Sequence, residues 1–83
     1  MISAKIIIYP SREYPVKSGY RPLFSINGEY YSGVVSFDGD DIYPNEGRNV
    51  KIKFLTFNGA LNHGDVIKLF ESPNHEVGRV LVN

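Results

Sequence analysis

Pro15-Val16-Lys17-Ser18-Gly19-Tyr20-Arg21-Pro22-Leu23-Phe24 holds a loop, a turn and the mouth of a strand, and the rest of the chain reads outward from it. Gly19 takes a positive φ at no steric cost, while Pro22 fixes its own φ, lacks an N–H and pushes Arg21 towards extended backbone. The chain is therefore expected to turn at Gly19 and leave extended. Pro22 belongs at the start of a strand or on an edge, because in a central strand it would forfeit a ladder hydrogen bond. By the two-residue period, Tyr20, Phe24 and Ile26 share one face, and Arg21, Leu23 and Ser25 the other.

The neighbouring stretches also read as strands. Ala4 to Tyr9 is β-branched and apolar, and Tyr20 to Ile26 is followed by Asn27-Gly28, a strong two-residue hairpin signal. Its partner is Tyr30 to Phe37, closed by Asp38-Gly39. Asn49 to Phe57 alternates Val50, Ile52 and Phe54 with Lys51 and Lys53. It then adds Leu55 and Phe57 on the polar side, so its second half is expected to be covered on both faces before Asn58-Gly59 turns it. Val66 to Glu71 and Glu76 to Val82 form the last pair, joined by Ser72-Pro73-Asn74-His75. No stretch keeps a helical period. Six short strands divided by Gly, Pro and Asn turns give an all-β fold, a small antiparallel barrel or sandwich that avoids exposed edges.

At 83 residues and 42% apolar composition the chain is expected to form a single folded domain spanning residues 1–83. Without cysteine it has no disulfide frame and no thiolate metal site. Ile6-Ile7-Ile8 is too short for a membrane span or a leader, so no membrane is expected and the default location is cytoplasmic. Zero net charge hides three blocks: residues 1–28 carry +3, residues 29–46 carry −5 and the remainder +2. Such blocks solvate a surface or steer a charged partner.

Catalytic and metal signatures are weak. There is no glycine-rich phosphate loop with its lysine and no GxGxxG after a strand, so no nucleotide cofactor is expected. Asp38-Gly39-Asp40-Asp41 invites a calcium reading, but counting from Asp38 the sixth position is Tyr43 and the twelfth Asn49, where a calcium loop needs Gly and Glu. His63 and His75 are the only imidazoles, and no serine lies in a nucleophile elbow. A hydrolase using His63 or His75 is the least favoured alternative, and the chain is expected to be no enzyme.

The segment that could carry function is basic and aromatic: Tyr9, Arg12, Tyr14, Lys17, Tyr20 and Arg21. Its bases suit phosphates and its tyrosines suit stacking. The same residue types dominate protein hot spots, and in a small barrel Tyr9 and Tyr20 also suit the core.

Gly19-Tyr20-Arg21-Pro22, with Pro15 at matching spacing, resembles the PFFxGYRPxF-type segment of the third domain of elongation factor Tu. Gly47 to Phe57 resembles that family's GDNIK-type strand, and Gly64 to Val82, with the Val77-Gly78 step, its paired closing strands. The resemblance implies a six-stranded, Greek-key-like β-barrel. In that family the domain touches the T-stem backbone of aminoacyl-tRNA and packs against two other domains. By that alignment Arg12 matches the arginine of a GRHTP-type loop and Glu71 the acid of a REGG-type turn. Glu13 stands for a histidine, Leu23 for a glutamine, Asn58 for a lysine or histidine, and Ser72-Pro73-Asn74 for two glycines and an arginine. Fewer donors and an added acid weaken phosphate binding. The expected function is thus a non-catalytic binding module using Arg12, Tyr14, Lys17, Tyr20, Arg21 and Glu71. A protein partner is favoured, with RNA, tRNA among them, on the Arg12/Lys17/Arg21 side as the alternative; self-association is also compatible.

Overall fold

The computed structural model describes residues 1–83 as six strands and no helix. They are β1 (Ile2–Ile8), β2 (Leu23–Ile26), β3 (Glu29–Ser36), β4 (Gly47–Phe54), β5 (Val66–Ser72) and β6 (His75–Val82). All pairings are antiparallel, and the order β1-β4-β3-β2-β5-β6 closes into a barrel. Three consecutive strands, β2 to β4, lie side by side, and the long connection from β1 leaves β1 beside β4, which is a Greek key. Closure leaves no free edge.

The two-residue period decides which side chains enter. Ala4, Ile6 and Ile8 of β1 meet Phe24 and Ile26 of β2, Val35 of β3, Val50 and Ile52 of β4, Ile67 and Leu69 of β5, and Val77, Val80 and Val82 of β6 in one core. Asn27 and Gly28 take φ of 52° and 80°, the pair of positive values a type I′ hairpin turn needs, and Ile26 faces Glu29 across them.

Because the strands alternate in direction, the loops sort to two ends. One end carries residues 9–22, residues 37–46 and the Pro73-Asn74 turn; the other carries the Asn27-Gly28 turn and residues 55–65. Val16 and Ile42, both fully buried, plug the first end and bond to each other through both backbone groups. Phe54, Phe57, Tyr31 and Leu61 close the second, where Phe54 meets Phe24 and Phe57, and Phe57 meets Tyr31, all edge-on at 5.0–5.3 Å.

Three local expectations are corrected. The strand read from Tyr20 begins at Leu23, since Pro22 offers no N–H, and Tyr20 makes only an isolated bridge to Val35. The strand read to Phe57 ends at Phe54, and Leu55, expected under cover, is 45% exposed. Asn58-Gly59 forms no hairpin, because β4 and β5 are not neighbours and residues 55–65 must cross the barrel end.

The β5–β6 hairpin is irregular in two places. Leu69 faces Gly78 while Phe70 faces Glu76, so Val77 is an extra residue on β6; Phe70 faces Glu76 while Ser72 faces His75, so Glu71 is an extra residue on β5. Gly78 lies so close to β1 that a Cβ there would collide with the Ile7 carbonyl oxygen. Gly78→Ala should therefore cost about 1–3 kcal/mol through backbone displacement, measured by urea unfolding. An unchanged midpoint would mean that β6 and β1 are not in this register.

Candidate functional site

Of the six candidate residues, five ride on the 9–22 connection and the sixth, Glu71, is the bulged residue of β5, so all six gather at one end of the barrel. Three of them bond to one another. The Arg12 guanidinium donates through Nε to Glu71 Oε2 at 2.6 Å, and the Tyr20 hydroxyl donates to the same oxygen at 2.6 Å. Arg12 Cζ also lies 5.0 Å from the Tyr20 ring centre. Its Nη1 turns back to the carbonyls of Tyr14 and, at 2.9 Å, Pro15. One guanidinium thus ties the tip of the loop to β5, and its side chain is only 19% exposed.

The electrostatics follow. Burial pushes the Glu71 carboxyl up, but hydrogen bonds from Tyr20 and Arg12, the Arg12 charge and a contribution from His75 outweigh it and hold the group below the usual carboxylate range. Burial, together with the hydrogen bond to and the charge of Glu71, drives the Tyr20 hydroxyl well above its ordinary value, so Tyr20 stays a neutral donor.

The other three candidates point outward. Tyr14 is 69% exposed and lends the knot only its carbonyl. Lys17, 81% exposed, pairs with Asp41 at 3.1 Å. Arg21 is exposed with no ion-pair partner. A shallow depression of about 300 Å³ among Arg12, Pro15, Lys17, Ser18, Gly19 and Tyr20 runs between the two groups. A larger one of about 380 Å³ lies at the opposite end, between the Asn27 turn and residues 60–67, and no candidate residue lines it.

Two acids of the acidic block, Asp41 and Glu46, are ion-paired within the fold, while the carboxylates of Asp38 and Asp40 stay exposed. Arg48 donates to the carbonyls of Asp38 and Asp40 and pairs with Glu46, while Asp41 holds Lys17. The −5 and +3 blocks of the sequence thus meet side by side, across the Val16–Ile42 bridge. No cluster of three or more histidine and acidic side chains is arranged around a common metal position. His63 and His75 sit at opposite ends of the barrel, and His75 Nε2 lies 2.9 Å from the Ser11 carbonyl oxygen, facing no hydroxyl.

The sequence reading passed over Tyr43. It is 59% exposed, and the bridge register sets it opposite Pro15, next along the chain from Tyr14. The signal was the turn Tyr43-Pro44-Asn45-Glu46, closed by mutual bonds of Tyr43 and Glu46, with Asn45 at φ 68°. No protein-family model matches the chain, and no curated protein matches it in sequence.

Glu71→Gln should lower stability at neutral pH by about 1–2 kcal/mol, because Arg12 is left against a neutral amide. The lowered carboxyl pKa stabilises above the ordinary glutamate value and stops doing so as pH falls through the folded one. The gap between wild type and variant, read by thermal unfolding, is thus full at pH 6–7 and closes below about pH 4. A gap that ignores pH would contradict this assignment.

Proposed function

We propose that this chain is a non-catalytic binding module that docks a protein partner at the barrel end formed by residues 12–21 and 38–46. The observation that carries the reading is Tyr14, a large exposed aromatic on a loop whose carbonyls are pinned from within by Arg12. An aromatic held in place loses little freedom on binding, which is why rigid Tyr side chains make effective anchors. Tyr43 and Pro15 extend the apolar surface beside it, and Lys17 and Arg21 supply a charged rim. Resemblance of Gly19 to Pro22 to the third domain of elongation factor Tu supports a translation-related partner.

RNA is less well served at this end. Arg12 is committed to Glu71 and Lys17 to Asp41, so of Arg12, Lys17 and Arg21 only Arg21 is free to neutralise a phosphate. Fewer released counterions mean a smaller electrostatic contribution.

The test is affinity capture from nuclease-treated extract of the source cell. Tyr14→Ala with Tyr43→Ala should weaken capture by about 30-fold, the effect of losing a hot spot of about 2 kcal/mol, while shifting stability by less than about 1 kcal/mol. Undiminished capture by the double variant would remove this end from the interface, and capture abolished by nuclease would replace the protein reading with RNA.

A further inference from the structure

The barrel wall is charged more unevenly than the sequence suggests. β4, β1, β6 and β5 lie side by side, and their outward positions hold Lys51 and Lys53, Lys5, Arg79 and Lys68, all exposed. The only acids in these four strands, Glu71 and Glu76, lie at or beyond the bulges, at the barrel end. None of the five bases has an ion-pair partner, since all three ion pairs are formed by Arg12, Lys17 and Arg48. Lys5, Lys53 and Lys68 make no side-chain hydrogen bond; Lys51 donates to Ser3 Oγ, and Arg79 reaches the Tyr9 hydroxyl at 3.3 Å.

The ladder register makes them one array. Lys68 faces Arg79 directly, Arg79 is diagonal to Lys5 through the Ile7–Arg79 and Lys5–Leu81 pairs, and Lys5 is diagonal to Lys51 through Ser3–Lys51 and Lys5–Asn49. Direct neighbours in such a sheet stand about 5 Å apart and diagonal ones about 7–8 Å. Like charges placed opposite one another destabilise a sheet, and these five return no ion pair to the fold in exchange. Asp38 borders the array, sharing a shallow groove with Ser3, Asn49 and Lys51. Zero net charge thus hides acids gathered at the ends and five of the nine bases spread over the wall.

We propose that this wall binds the phosphodiester backbone of double-stranded nucleic acid without sequence preference. A row of unpaired cations several ångströms apart suits an extended polyanion, whose counterions it displaces. Its exposed apolar residues, Val66 and Leu81, are aliphatic, and Tyr9 is covered by Arg79, so it offers no stacking platform of the kind that single strands require. Contacts to backbone alone position a duplex and carry no sequence information. The site is separate from the barrel end that holds Tyr14.

The experiment is fluorescence anisotropy with a labelled duplex of mixed sequence, from 20 to 200 mM salt. Wild type should bind with a logarithmic salt slope of about −2.7 to −4.5, for about three to five phosphates contacted. Lys5→Glu with Lys68→Glu should weaken binding more than tenfold and flatten that slope, with the melting temperature retained. Lys17→Glu with Arg21→Glu changes the net charge equally at the barrel end and should leave duplex binding within twofold. The proposal is overturned if wild type fails to bind at 20 mM salt, if the two double variants bind alike, or if a single strand binds more tightly than the duplex. Vesicles containing phosphatidylserine form the last arm, and capture by them in preference to the duplex would overturn it in favour of a membrane surface. Loss of duplex binding leaves partner capture through Tyr14 and Tyr43 untouched, so the two readings fail separately.

Discussion

The bond between Arg12 and Glu71 organises the barrel end at which the six candidate residues gather. The connection from β1 to β2 must cross the mouth of the barrel, and a crossing segment has no sheet partner of its own. It is held instead by short bridges, Val16 to Ile42 and Tyr20 to Val35, and by one guanidinium that satisfies two loop carbonyls and a carboxylate together. Charge-assisted hydrogen bonds of this kind are roughly twice as strong as neutral ones. Partial burial strengthens them further and makes either partner costly to leave alone. Tyr20 joins because its ring packs on the core while its hydroxyl reaches the same carboxylate oxygen.

The acid that receives these bonds reaches them through a bulge. In regular pairing each residue of β5 would face one of β6, but Glu71 has no opposite number between Phe70 and Ser72. A bulge re-aims a side chain at a sheet's rim, and here it is the feature that brings a strand residue to a loop arginine 59 positions away. Nothing in the local sequence of β5 marks it. Alternation of Val66, Ile67, Lys68 and Leu69 is legible, as is the Asn27-Gly28 turn, because both are properties of adjacent residues. Placing β1 between β4 and β6, and carrying residues 55–65 across the barrel rather than turning at Asn58-Gly59, depends on contacts between distant segments. Arg12, Tyr20 and Glu71 were recognisable as a set only through resemblance to a known family. Composition showed a basic and aromatic stretch, without showing that two of its members bond inward.

The same distinction governs charge. Counted along the chain, the acidic residues 29–46 read as a solvated face or a steering field; folded, Asp41 pairs with Lys17 and Glu46 with Arg48, and the carboxylates of Asp38 and Asp40 remain exposed. Five of the six bases that remain unpaired, Arg21 apart, are dispersed in sequence from Lys5 to Arg79 and converge only when the strand register is known. Linear charge blocks and surface patches thus differ in this protein, most of all for the cations of the barrel wall. The tyrosines at one end and the cations on one side are separate surfaces of one barrel, and neither set belongs to the buried core.

The dependence of the loop on the Arg12 knot is most directly measured by amide hydrogen exchange in Arg12→Met, which keeps much of the aliphatic stem and removes the guanidinium. The Val16 amide, bonded to Ile42, and the Gly19 amide, bonded to Val35, report on the loop. The amides of the β1–β4 and β1–β6 ladders report on the barrel. If the knot holds the crossing segment, Val16 and Gly19 exchange about tenfold faster or more in the variant while the ladder amides keep their protection, a local opening within an intact barrel. Equal exchange at Val16 and Gly19 in both proteins would contradict it and would leave the loop fastened by its backbone bridges, the Lys17–Asp41 pair and the bonds of Ser11 and Ser18.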